Sequence, residues 1–131
     1  MTAVYLDSSA FVKLLVNEAE SGPLRSYLAA HDDRLVSSTL LRTESLRAVR
    51  HLGPEALAVI REGLRRVDLI ALDDRILDAA GTLAADVLRT LDAIHLATAV
   101  SVGDDLVSIV TYDRRMVDAA RLLGLASASP R

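Results

Sequence analysis

Apolar runs rich in β-branched residues alternate with helix-period patterns along the whole chain, and this alternation narrows the fold more than any other feature. Strand-like runs lie at Ala3 to Asp7, Leu35 to Ser37, Asp68 to Leu72, Leu106 to Thr111 and, with a fainter pattern, Leu125 to Ser127. Helical patterns fill the intervals. Ser21-Gly22-Pro23 reads as an N-cap followed by a proline near the first helical position, Leu52-Gly53-Pro54 as a stop and restart, and Gly103 and Gly124 as C-terminal stops. Strand and helix in strict succession predict an α/β domain with a short, mainly parallel sheet flanked by helices. At 131 residues, a single domain over 1–131 is expected, because a chain of this size buries roughly 65–70% of its unfolded surface.

The composition excludes several chemistries. Without cysteine there is no disulfide, no thiolate metal site and no cysteine nucleophile, and zinc of the usual Cys/His kind is not expected. No apolar run reaches the ~20 residues of a membrane helix and the start of the chain lacks a signal-peptide pattern, so the chain reads as cytoplasmic. A formal charge of −3 argues against simple coating of nucleic acid. Of the 15 basic residues only Lys13 is lysine. The arginines either suit phosphate recognition or reflect a composition that favours Arg, Ala, Val and Leu.

Most of the 18 acidic residues stand in solvated settings such as His31-Asp32-Asp33-Arg34 or Asp73-Asp74-Arg75. Four do not. Asp7 ends the first strand-like run, and Asp113 follows "SIVTY", which puts both at carboxyl ends of strands, where open α/β sheets bind ligands. Each also reads as a helix N-cap. Asp92 lies in "TLDAIHLATAVSV", a helix with almost no polar face, which reads as buried all round. There Asp92, His95, Leu96 and Ala99 fall at i, i+3, i+4 and i+7 and share one side. An unpaired charge in that setting would be costly, so Asp92 either has a compensating partner or faces the positive end of a helix capped by Thr90. His95 reads as a core histidine bonded to a backbone group, or as part of the same constellation. Glu44, in "TLLRTESLRAVRHLG", lies along a stripe of Leu41, Ala48, Val49 and Leu52, or at its edge paired with Arg47.

If these four carboxylates converge, each pair ~4 Å apart repels by roughly 4 kcal/mol at an effective dielectric near 20, and the cluster calls for cations or protons. Hard oxygen ligands select Mg²⁺ or Mn²⁺ over zinc or copper. A few carboxylates and several waters leave room for a phosphate oxygen and an attacking water, the equipment of metal-assisted phosphodiester hydrolysis.

"VYLDSSAFVKLL", "SSTLLRTESLRA", "LRTLDAIHLATA" and "IVTYDRRMVDAARLLG", in that order over nearly the whole chain, resemble the successive motifs of the PIN-domain nucleases, most closely the bacterial VapC-type toxins. The resemblance implies a PIN fold with helices on both sides of the sheet, and RNA cleavage by metal-activated water in an acidic Mg²⁺ or Mn²⁺ pocket. Asp7, Glu44, Asp92 and Asp113 match the family's acidic quartet, with Asp7 and Asp92 as primary metal ligands. Ser8 and Thr111 match pocket-lining hydroxyls. Some relatives carry another acid after the last Asp, where this chain has Arg114 and Arg115, so occupancy of a second metal position stays open. The resemblance also implies a homodimer and a small VapB-type antitoxin that covers the pocket.

Lys13, Arg114 and Arg115 are candidates for the RNA backbone, or else solvated helix faces. With one Phe and three Tyr, an extensive base-stacking platform is not expected. "PEALAVIREGLRR" places Leu57, Ile60 and Leu64 on one stripe, for the core or for another chain. Two other readings compete. A non-catalytic PIN-like module would use the acids to receive a partner's arginine. A phosphoacceptor receiver domain would need an early acidic pair and a late lysine, and Lys13 is the only lysine here.

Overall fold

Ala3, Val4, Tyr5 and Leu6 are all fully buried, which marks the first strand as the centre of a covered sheet. The computed structural model describes residues 1–30 and 33–131, so His31 and Asp32 lie outside the described residues. In chain order the elements are β1 (Ala3–Leu6), α1 (Ser8–Leu15), α2 (Ser21–Ala30), β2 (Arg34–Ser38), α3 (Leu40–Val49), α4 (Pro54–Leu64), β3 (Asp68–Ile70), α5 (Asp74–Gly81), α6 (Thr90–Ser101), β4 (Leu106–Val110), α7 (Arg114–Leu122) and β5 (Ser127–Ala128). The strands form one sheet in the order β3-β2-β1-β4-β5, and every neighbouring pair is parallel.

Side chains alternate across β1 and serve two cores. Val4 and Leu6 pack with Phe11 of α1, Leu24 of α2, Leu41 of α3 and Ile60 of α4 on one face. Ala3 and Tyr5 pack with Leu96 of α6 and Met116 of α7 on the other. Each fully buried Leu, Ile or Phe contributes about 1.5–3 kcal/mol of apolar burial, so helices on both faces are what make a sheet this short stable. Ile60 and Leu64 are buried and Leu57 packs against them, which assigns the stripe of α4 to the core.

Three local expectations change. The α6 helix is not buried all round: Leu91 and Val100 are 47% and 45% exposed, because α6 covers one sheet face and packs on α5 while its outer side meets solvent. The inner stripe of α3 is Leu41, Ser45 and Val49, whereas Ala48 is exposed and Leu52 is carried off the stripe by a 3-10 turn over Arg50–Leu52. Ser45 is tolerated there because its hydroxyl donates to the Leu41 carbonyl at 2.7 Å. Ser21 lies inside the first turn of α2, and its Oγ accepts from Glu18 N and donates to the Lys13 carbonyl, so it ties α2 to the end of α1 instead of capping.

Gly53 separates the 3-10 turn from α4 with φ 97° and ψ −178°, a region essentially closed to other residues, and Pro54 starts the helix. A Cβ there would meet no atom within 4 Å, so its cost is backbone strain alone. Gly53→Ala is expected to lower unfolding free energy by about 1–3 kcal/mol, seen as a lower urea midpoint at unchanged m-value.

Candidate active site

The topology brings four acids to the carboxyl edge of the sheet by three routes. Asp7 directly follows β1, and Asp113 follows β4 at the start of α7. Glu44 lies in the second turn of α3, which leaves the carboxyl end of β2. The fourth arrives backwards: α6 feeds the amino end of β4 through the Gly103–Asp105 turn, so its own first turn, with Asp92, sits at the opposite edge.

Asp7 is the N-cap of α1 as well as a candidate site residue. Its Oδ1 accepts from Ala10 N at 3.0 Å and from Ser9 Oγ at 2.6 Å, and Oδ2 accepts from Thr111 Oγ1 at 2.5 Å. Three of a carboxylate's roughly four lone-pair directions are thereby used. Only 4% of Asp7 is exposed. Burial pushes its carboxyl above the ordinary 3.8, against the pull of the Ser9, Thr111 and Ala10 hydrogen bonds. Thr111 Oγ1 also accepts from Asp113 N at 3.1 Å, and the Asp113 carboxylate caps α7 through Arg115 N at 2.9 Å.

Asp92 is half-buried, and no side chain caps α6, which excludes the Thr90 cap. Its carboxyl is raised above 3.8, first by loss of solvent, then by the charges of Asp113 and Asp7 and to a smaller extent Glu44, with His95 opposing. Asp92 thus feels the charges of the other three acids. Glu44 does not pair with Arg47: its Oε1 lies 2.5 Å from His95 Nε2. His95, 1% exposed, bonds side chains and not backbone, with Nδ1 2.7 Å from the Tyr5 hydroxyl. Burial also pushes the Tyr5 phenol upward.

The remaining candidates divide. Among the described residues Ser8 makes no hydrogen bond to any of the acids, and it lines a groove with Ser9, Val12, Lys13, Glu18 and Ala48. Ser9 takes the supporting part, because the second residue after a capping Asp is turned toward its carboxylate while Ser8 is turned away. Lys13 Nζ is engaged by Glu18 at 2.8 Å and Glu20 at 3.1 Å and lies 5.2 Å from the Tyr112 ring centroid. Arg114 and Arg115 are exposed beside Asp113 and form no ion pair among the described residues.

Among the described residues no three Asp, Glu or His side chains form a ready-made metal cage. The donor set nevertheless fits a hard cation. It is all oxygen and anionic, the raised Asp92 carboxyl registers a repulsion that a cation relieves, and Mg²⁺ takes one or two carboxylates and keeps its waters. The apolar grooves elsewhere, one between α5 and α6 along Leu77, Leu83 and Ile94, are lined by none of the four acids.

Residues 4–122 match the family profile of the PIN domain. The chain belongs to the PIN-domain family. It is 52% identical to Ribonuclease VapC46 of Mycobacterium tuberculosis over 130 residues, covering 99% of both chains. It is 40% identical to Ribonuclease VapC35 of the same species, covering 97% of this chain and 96% of that one. In fold it resembles M. tuberculosis VapC20, described as a sarcin-ricin loop cleaving toxin, with a TM-score of 0.75 at 17% identity over 97% and 99% of the two chains. A chain from a toxin-antitoxin complex of Klebsiella pneumoniae gives 0.75 at 19% identity over 98% of each. Within the PIN family the likeness runs to the VapC branch.

Sequence reasoning missed two parts of this PIN-domain site. Ser9 had a local signal, an Asp-x-Ser step at a strand-to-helix junction. The link from Tyr5 to His95 had none, since 90 residues separate them and only the packing of α6 on β1 joins them.

The raised carboxyls of Asp7 and Asp92 fix a pH dependence. The folded state holds these protons more tightly than the unfolded chain, so their contribution to stability is full below about pH 3.9 and is lost as pH rises through the folded-state values. In metal-free buffer, Asp92→Asn is expected to raise the melting temperature at pH 7, with the gain shrinking toward pH 4. An equal gain at both pH values would contradict charge as the cause.

Proposed function

We propose that the chain is a Mg²⁺- or Mn²⁺-dependent endoribonuclease toxin of the VapC type, neutralised in the cytoplasm by a cognate VapB-type antitoxin. One observation carries the reading: β1, β4, α3 and α6 bring Asp7, Asp113, Glu44 and Asp92 from separate elements to one edge of the sheet. The names of the relatives support it, two of them ribonucleases and one a toxin that cleaves an RNA loop. The likeness to a chain from a toxin-antitoxin complex supports the antitoxin partner, and a homodimer is part of the same proposal.

In this reading Asp7 and Asp92 are the direct metal ligands, with Glu44 and Asp113 completing the acidic set. A divalent cation bound there supplies Lewis acidity toward a phosphate oxygen and a lowered pKa for water. Ser9 and Thr111 hold Asp7 so that its remaining lone-pair direction is the one left for the cation. Arg114 and Arg115 meet the RNA phosphates from the start of α7, where arginine's planar fork suits phosphate oxygens. No protein nucleophile is required.

The test is total cellular RNA incubated with antitoxin-free protein and Mn²⁺, with new ends mapped by sequencing. Defined cuts are expected, lost with Asp7→Ala and with a chelator; cuts that persist in the Asp7→Ala lane would remove Asp7 from the site, and no cuts in any lane would favour the non-catalytic module. Arg114→Ala with Arg115→Ala is expected to raise KM several-fold with little change in kcat and to flatten the salt dependence of cleavage. A fall in kcat alone would place these arginines at the chemistry instead.

A further inference from the structure

Tyr5, His95 and Glu44 form one hydrogen-bonded row from the middle of the sheet to its carboxyl edge. The Tyr5 hydroxyl lies 2.7 Å from His95 Nδ1, and His95 Nε2 lies 2.5 Å from Glu44 Oε1. Tyr5 is fully buried and His95 1% exposed, while the Glu44 side chain retains 19%. Packing alone does not ask for this row, since apolar side chains of similar volume would fill the space with no polar group to satisfy.

The polarity of the row follows from its outer end. A carboxylate only accepts, so Nε2 carries the hydrogen and donates to Glu44. In the neutral ring Nδ1 is then the acceptor, and the Tyr5 hydroxyl donates to it. Glu44 alone sets Nε2 as a protonated nitrogen, and the Tyr5 hydroxyl, which both donates and accepts, suits Nδ1 in the neutral or the charged ring. The row also joins the three elements that carry Asp7, Asp92 and Glu44. Tyr5 stands two residues before Asp7 on the same face of β1, and His95 one turn after Asp92 on α6.

We propose that Tyr5 and His95 are positioning residues that hold the Glu44 carboxylate toward Asp7, Asp92 and Asp113, presetting it for a divalent cation. The inference rests on the metal reading of the site. Glutamate has three rotatable bonds, and in the absence of a cation the neighbouring acids repel its carboxylate toward solvent. The buried N–H of His95 opposes that swing through Oε1, while Oε2 has no hydrogen-bond partner among the described residues and remains available. Carboxylate ligands of metals are commonly oriented by such hydrogen bonds, and loss of the orienting partner typically lowers metal affinity about 10- to 100-fold.

The test is Mn²⁺ calorimetry on the full chain, with thermal melting to show that each variant folds. His95→Leu is expected to weaken Mn²⁺ binding about 10- to 100-fold and Tyr5→Phe several-fold, while His95→Gln, whose amide N–H reaches toward the carboxylate, recovers most of the affinity. Combined with Glu44→Gln, neither His95→Leu nor Tyr5→Phe should weaken binding beyond Glu44→Gln alone, because both act through Glu44. Effects that multiply in the double variants, or no recovery with a folded His95→Gln, would overturn the positioning role. If His95→Leu does not fold, Tyr5→Phe, which removes one oxygen atom, supplies the same cycle. Asp92→Asn separates the two levels. If it weakens binding while the Tyr5 and His95 variants leave it unchanged, positioning alone falls; if the wild-type chain binds no Mn²⁺, or Asp92→Asn leaves the isotherm unchanged, the metal reading falls and this inference with it.

Discussion

The carboxylate of Asp7 is buried and held by three hydrogen bonds, and the topology of the sheet brings Glu44, Asp92 and Asp113 to the same edge. Those bonds lower the cost of burying it without removing it, because burial still raises its carboxyl. Asp92, only half-buried, is raised further by three other acids that stand nearby. Such an edge is unstable with respect to any positive charge that fits it. In the proposed reading, the metal-free edge carries an electrostatic strain that a small hard cation relieves.

That strain is built from the connectivity of the sheet. A parallel sheet with β1 at its centre directs β1, β2 and β4 toward one edge, and the elements that follow them deliver Asp7, Glu44 and Asp113 there. The α6 helix runs back along the sheet and contributes Asp92 from its first turn. Alternation along β1 does the rest. Val4 and Leu6 anchor the helices of one face, and Tyr5 turns toward α6 on the other and meets His95. Both faces of the strand are thus core, and the row that reaches the candidate site starts on the face toward α6.

Much of this was legible in the residue order. The five strand-like runs each contain or overlap a strand of the sheet, and Gly53, Gly103 and Gly124 stand at breaks with positive φ, because the signals concerned are local: β-branched runs and glycine's freedom at helix ends. The four acids were also singled out, since an acid at a strand end or on an apolar helix face stands out against its neighbours. What could not be read were partners set by tertiary approach. Glu44 was read along the inner stripe of its helix or paired with Arg47 one turn away, and its partner is His95, 51 residues distant. Lys13 was read as a candidate for the RNA backbone or as a solvated helix face, and its Nζ pairs with Glu18 and Glu20, brought near by the turn between α1 and α2. Ser9, which had no part in the sequence reading, bonds Asp7 where Ser8 was expected, because a one-residue step rotates a helical side chain by about 100°, more than a motif can resolve.

Anomalous X-ray scattering from crystals equilibrated with Mn²⁺ would test the central claim most directly, because it locates the ion without reference to activity. A peak in contact with the carboxylates of Asp7 and Asp92 at the carboxyl edge of the sheet is the expected result. Saturating Mn²⁺ with no peak at that edge, or a peak remote from all four acids, would contradict it.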